Sequence, residues 1–202
     1  IVEGGAAIGF SVTQDFVGDE WPLPCNYAYR QRFLFYDDGR FRVVAGNLGR
    51  GCGSDGTYRP VLRIALAGAR DAFAQWDGGA WRSWANEGVA LQGADTAYTA
   101  DGYLFRIADE AGRGFYVEPG RGQFDDGGRG DNAYTYVTVR KADEGDGDLL
   151  TIGPCCNPDD RQGPEKFIGP EPDPIAAGHL VLWYVPQMPN DDTPGHAFCW
   201  AD

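Results

Sequence analysis

Apolar and polar residues alternate at the period of a β-strand through most of this chain, and clusters of turn-forming residues separate the alternating runs. The clearest case is Arg30 to Phe35, then Tyr36-Asp37-Asp38-Gly39, then Arg40-Phe41-Arg42-Val43-Val44-Ala45. Asp-Gly readily takes the positive φ angles of a tight reversal, so this stretch predicts a hairpin. Further strands are expected at Tyr58–Leu66, Gly102–Ile107, Gly114–Val117, Asn132–Arg140, Leu149–Ile152 and His179–Val185. Between them lie turn clusters such as Gly51–Gly56 and Asp125–Asp131. Only Ala67–Ala74 reads as a short helical turn. Prolines 154, 158, 164, 170, 172 and 174 make residues 153–178 a long ordered loop, pinned by Cys155 and Cys156. With no internal repeat and no composition break, the expectation is an all-β protein. It would be one antiparallel β-sandwich over residues 1–202 with long Pro/Gly-rich loops, and residues 1–20 would form an extended N-terminal segment available to a neighbouring subunit.

Composition narrows the function more than it names it. Hydrophobic residues at 43% of 202 are enough for a real core, and thirty glycines with thirteen prolines fit many tight turns. A net charge of −13 argues against nucleic-acid binding, because phosphate is repelled. No apolar run is long enough to span a bilayer as a helix. Five cysteines (Cys25, Cys52, Cys155, Cys156 and Cys199) are the disulfide candidates and point to an oxidising, extracellular location. Their odd number leaves one thiol free or paired between chains.

Asn26-Tyr27-Ala28-Tyr29 heads a series of aromatic-rich motifs along the chain, and the series resembles the C-terminal, catalytic domain of copper amine oxidases. Asn26-Tyr27-Ala28-Tyr29 running into a strand and hairpin is similar to that family's cofactor segment, Asn-Tyr-(Asp/Glu)-Tyr. Similar in order are Gly114–Pro119, Asn132–Thr138, Leu149–Gly153, His179–Trp183 and Asn190–Pro194. The resemblance implies a large antiparallel sandwich, here shortened, with Tyr27 at the position that becomes topaquinone. It also implies copper held by three imidazoles, two from a His-x-His after the cofactor hairpin and one after the late Trp strand. Imidazole suits Cu(II) in donor type and geometry. Here those regions read Thr57-Tyr58-Arg59-Pro60-Val61-Leu62-Arg63-Ile64 and Trp183-Tyr184-Val185-Pro186-Gln187-Met188-Pro189-Asn190, and the only histidines are His179 and His196. Ala28 replaces the family's acidic residue, and the family's general base lies further upstream than the 26 residues before Tyr27. Tyr27 is therefore expected to be a vestigial cofactor position, half-buried on a strand with Tyr29, and no catalytic residue or cofactor is expected.

Other chemistry is sparse. Asp143, Asp146 and Asp148 alternate with glycine and are candidate Ca²⁺ ligands; Asp125, Asp126 and Asp131 offer a second acidic turn. His196 lies near Cys199, a soft pair that is more often structural. Trp76, Trp81 and Trp84, with Tyr98 and Tyr103, would stack on sugar rings if exposed and close the sandwich if buried. No Gly-x-Ser-x-Gly or phosphate-binding glycine loop occurs. The expected function is that of a non-catalytic extracellular structural or adhesive protein, a surface or filament subunit. It would associate with itself through the N-terminal segment, Ala6–Val12 in particular, or through a sheet edge. The alternatives are a carbohydrate-binding module and a fragment of a copper amine oxidase.

Overall fold

The computed structural model describes residues 1–23, 26–49, 57–65, 71–109, 111–120, 131–140, 168, 170–189 and 199–201. Every extended segment among them pairs antiparallel, and no α-helix occurs among the described residues. The all-β reading holds. Where one domain was expected, the chain forms two compact units: Ile1–Pro60 with Gly120–Asn132 and Pro186–Asp202, and Val61–Pro119 with Ala133–Val185.

The first unit begins with a small ladder, β1 (Val2–Glu3) on β2 (Ala6–Ala7). A four-stranded sheet follows, in the order β16-β5-β4-β3: β3 is Gly9–Val17, β4 Ala28–Tyr36, β5 Phe41–Gly49 and β16 Cys199–Ala201. The predicted hairpin is β4–β5. Gly39 holds φ of 87° in its turn and donates its N–H to Tyr36 O at 3.1 Å, a conformation that explains glycine at this position. The N-terminal segment expected to reach a neighbour runs along β4 of its own chain with one edge, from Gly9 opposite Tyr36 to Val17 opposite Ala28. The expected strand Tyr58–Leu66 is broken at Pro60, which has no N–H to donate. Its first part is β6 (Thr57–Tyr58), paired with β15 (Met188–Pro189).

Its second part, β7 (Leu62–Ala65), belongs to the second unit and its sheet β10-β13-β14-β7, with β10 at Gly88–Leu91, β13 at Tyr134–Val139 and β14 at Leu180–Val185. The other sheet of this unit runs β12-β11-β8-β9, with β8 Asp71–Trp76, β9 Trp81–Ser83, β11 Phe105–Asp109 and β12 Gly114–Val117. The helical turn expected at Ala67–Ala74 is thus a strand over its described part. Phe73 opposite Ile107 in the ladder outweighs the alanine-rich composition that suggested helix. Between the sheets lies one core: Phe73, Phe105 and Ile107 from one side, Val137, Leu180 and Leu182 from the other, with Leu104 and Ile175. The opposite face of β13 and β14 is buried too, through Tyr136, Val181, Trp183 and Val185. This is why β14 reads Leu-Val-Leu-Trp-Tyr-Val with no polar alternation. Some of the polar groups inside this unit pair with one another: Gln92 Oε1 accepts the N–H of Ala133 and the hydroxyl of Tyr184, and Trp183 Nε1 donates to Thr138 at 2.9 Å. Part of the expected Pro-rich loop is a 3-10 turn at Ile175–Ala177. It is tied down by Glu87, whose carboxylate accepts the N–H groups of Val139 and Asp173.

Candidate functional site

Three segments singled out by the sequence meet in the first unit. Tyr27 stands just before β4 and stacks on Tyr29 with ring centres 5.6 Å apart. A register shift between Ala28 and Tyr29 marks a bulge in the β4–β5 ladder at this point. The Tyr58 ring lies edge-on to both, 6.4 Å from Tyr27 and 6.1 Å from Tyr29. Next to Tyr58, Arg59 donates from Nε to Gln187 Oε1 at 3.2 Å. Gln187 in turn donates from Nε2 to Asn132 O at 2.7 Å and from its backbone N–H to Asp131 O. Asn132 has φ of 50°, a left-handed conformation that asparagine tolerates better than most residues.

The cofactor-like tyrosine, the segment matching the first two copper ligands and the segment matching the third are therefore gathered in one place. The donors gathered there are phenols, a guanidinium and an amide. A guanidinium offers no lone pair to a metal, and the Gln187 amide oxygen already accepts from Arg59. These residues do not fit a copper ion, and no step through one follows. Tyr27, expected half-buried, is 45% exposed.

The tryptophans divide. Trp84 packs edge-on against Phe73 at 4.8 Å and joins the sandwich core. Trp76 and Trp81 are cross-strand partners on the β8–β9 hairpin, with ring centres 5.5 Å apart. Arg106 lies over the Trp81 ring at 5.2 Å, and Trp81 neighbours Tyr116, which stacks on Tyr103 at 4.9 Å. Strand alternation places Trp76, Trp81, Arg106 and Tyr116 on the sheet face opposite Phe73 and Phe105. Tyr116, not among the stacking residues expected from the sequence, is 53% exposed; its signal was its place in the alternating Phe115-Tyr116-Val117 run. The hairpin turn under Trp81 is held by Asp77. The Arg82 guanidinium at 2.5 Å and the N–H groups of Gly79 and Ala80 hold its carboxyl down at about 2.

An apolar surface also lies on the first sheet. The ladder registers place Phe10, Val12 and Phe16 of β3 on one face with Tyr29, Phe33 and Phe35 of β4 and Phe41 and Val43 of β5. Phe10 is 60% exposed and Phe16 51%, and Val12, Phe35 and Phe41 are exposed as well. The reverse face is mixed: Val17, Leu34 and Val44 lie beside Ser11, Thr13, Arg32 and the bidentate pair Asp15–Arg30, in which Arg30 holds the Asp15 carboxyl below its ordinary range.

Cys25, Cys52, Cys155, Cys156, His196, Asp125, Asp126 and the calcium candidates Asp143, Asp146 and Asp148 lie outside the described residues. Asp131 is described and buried. His179 is exposed, and its carbonyl accepts the N–H of Arg140. Among the described residues no group of three or more His, Cys, Asp or Glu side chains is placed to hold a metal. No helix among them is long and apolar enough to cross a membrane. Compared with known protein families, curated proteins and solved structures, the chain has no match.

Proposed function

We propose that this protein is a non-catalytic extracellular structural subunit that associates with copies of itself, on a scaffold like that of the copper amine oxidase catalytic domain. The observation that carries the reading is the apolar face of the β3–β4–β5 sheet, whose Phe10, Phe16, Phe35 and Phe41 are all exposed. Contiguous exposed aromatic surface on a soluble chain marks an interaction site. The meeting of Tyr27, Tyr58 and the Arg59–Gln187 pair supports the kinship with the oxidase scaffold, and its donor set supports the loss of copper chemistry. The five cysteines support the extracellular assignment, and their odd number supports pairing between chains. Sedimentation velocity over a wide concentration series tests the reading. Mass-action growth of a larger species is expected, and a monomer at every concentration overturns it. Metal analysis with a quinone stain is expected to be negative; a positive stain at Tyr27 restores the oxidase reading.

A second reading rests on Tyr116 with Trp76, Trp81 and Tyr103: an aromatic platform on an outer sheet face, suited to the C–H faces of neutral pyranose rings. The net charge of −13 disfavours anionic glycans. Titration with soluble neutral glucans and xylans is expected to quench tryptophan emission, and Tyr116→Ala is expected to remove the response. No quenching by any of them rejects the platform.

A further inference from the structure

We infer that two copies of this chain pair through the outer edge of β3, antiparallel about a two-fold axis at Gln14, to make one continuous eight-stranded sheet. The inference rests on the self-association just proposed and names its surface and register.

The edge comes first. β3 is the last strand of its sheet, nine residues long, and has no partner on its outer side among the described residues. Its polarity can be read from the bonds that flank it. Asp37 N–H donates to Ile8 O at 3.0 Å and Gly18 N–H to Tyr27 O at 2.9 Å, so even-numbered residues 8 and 18 face β4. Hydrogen-bonded and non-bonded pairs alternate along an antiparallel ladder. Gly9, Ser11, Thr13, Asp15 and Val17 therefore point their N–H and C=O groups away from the sheet. One of these is already taken, because the Ile1 ammonium donates to Gly9 O at 3.0 Å. The open edge runs from Ser11 to Val17, and its midpoint is Gln14. No proline and no lysine guards it, as would be usual for an edge strand this long.

Register comes second. Pairing the open edge with itself about Gln14 sets Ser11 against Val17 of the second copy and Thr13 against Asp15. These pairings satisfy roughly eight backbone hydrogen bonds, two for each opposed pair. On the aromatic face Val12 then meets Phe16 of the second copy, and Gln14 meets Gln14. Gln14 is also the neighbour of Gln31 on β4, so a band of amides crosses the new sheet with apolar rows on either side. A primary amide is both donor and acceptor, hence complementary to itself across a two-fold axis. On the other face the Thr13 hydroxyl reaches the Asp15 carboxylate, and no like charges oppose. Centring the axis one residue earlier, on Thr13, sets Val12 against Gln14 and drives Val17 into the Gly9 carbonyl held by Ile1. The observed edge selects the Gln14 axis. A two-fold contact closes on itself, so this interface makes a dimer, and a filament needs a second surface.

The test uses the full chain in sedimentation equilibrium, with circular dichroism to confirm that each variant folds. Thr13→Pro removes an N–H that points outward and leaves the ladder to β4 intact. It is expected to weaken the dimer about ten- to a hundredfold, because it deletes two interface bonds. Val12→Lys combined with Phe16→Lys is expected to give monomer. Val12→Lys combined with Phe16→Glu is expected to restore the dimer in a salt-sensitive form, since the two positions face each other only in this register. A wild-type dimer indifferent to all three variants overturns the β3 interface and leaves self-association standing through another surface. A wild-type monomer at every concentration overturns both.

Discussion

The sheet β16-β5-β4-β3 and the sheet β12-β11-β8-β9 are built from the same alternation, yet their aromatic residues meet opposite fates. Phe73 and Phe105 stack at 5.3 Å inside a core closed by Val137, Leu180 and Leu182 of the facing sheet. Phe10 and Phe35 stack at a similar 5.1 Å but remain exposed. Alternation makes one face of a sheet apolar; whether that face becomes a core depends on whether a second layer lies across it. The sandwich of the second unit carries its own second layer, whereas no strand among the described residues lies across the outer half of the first sheet.

Substitutions on the two sheets break this contrast most directly. Phe105→Ala is expected to destabilise the fold by about 3–5 kcal/mol in urea titration, the range for deleting a buried aromatic ring. A loss near that of a surface site would mean that the sandwich core is looser than described. Glu87→Ala comes next, at about 1–3 kcal/mol, because the N–H groups of Val139 and Asp173 lose their acceptor. Glu87→Gln, which keeps one acceptor oxygen, is expected to recover part of that loss. Phe10→Ser is expected to shift monomer stability by no more than about 1 kcal/mol, although the ring is as large as that of Phe105. A core-sized loss would show that the exposed face is covered within the monomer. The smallest effect is electrostatic. Asp77 is held at about 2, below its ordinary value of 3.8, by Arg82 and the N–H groups of Gly79 and Ala80. Folding thus favours the ionised form. Its contribution is complete above about pH 4 and fades as pH falls toward 2. Asp77→Asn is expected to flatten the acid limb of a plot of Tm against pH in that window. An unchanged limb would mean that this turn does not sense acid.

The parts legible in the sequence were those whose local chemistry and long-range partners agree. Asp38-Gly39 specifies its own turn, and Leu180–Val185 is apolar on both faces because both are buried. Ala67–Ala74 was misread because alanine and arginine favour helix while the ladder to β11, far along the chain, requires strand. β3 carried its signal in Phe10, Val12 and Phe16, but its partner is its own β4 and only its outer edge is open. Tyr58, Arg59 and Gln187 drew no attention as a group, because the expectation there was histidine. Their junction depends on Met188 pairing with Tyr58 across the chain. Nothing local encodes that. Trp84 looked equivalent to Trp76 and Trp81 until strand alternation separated it.

The wiring of these sheets also sets an order of events as the chain emerges. β3, β4 and β5 are consecutive and form a local meander that can assemble as soon as residue 49 is made. β7 must wait for β14, and β5 for β16 near the other end of the sequence. Long-range pairings of this kind close slowly. During synthesis the meander would therefore stand alone, with its aromatic face and its unguarded edge available to every neighbouring nascent chain. Crowded ribosomes, before β16 has covered the edge of β5, are where this meander is expected to misassemble, and slower initiation, which spaces the ribosomes along a message, should raise the soluble yield.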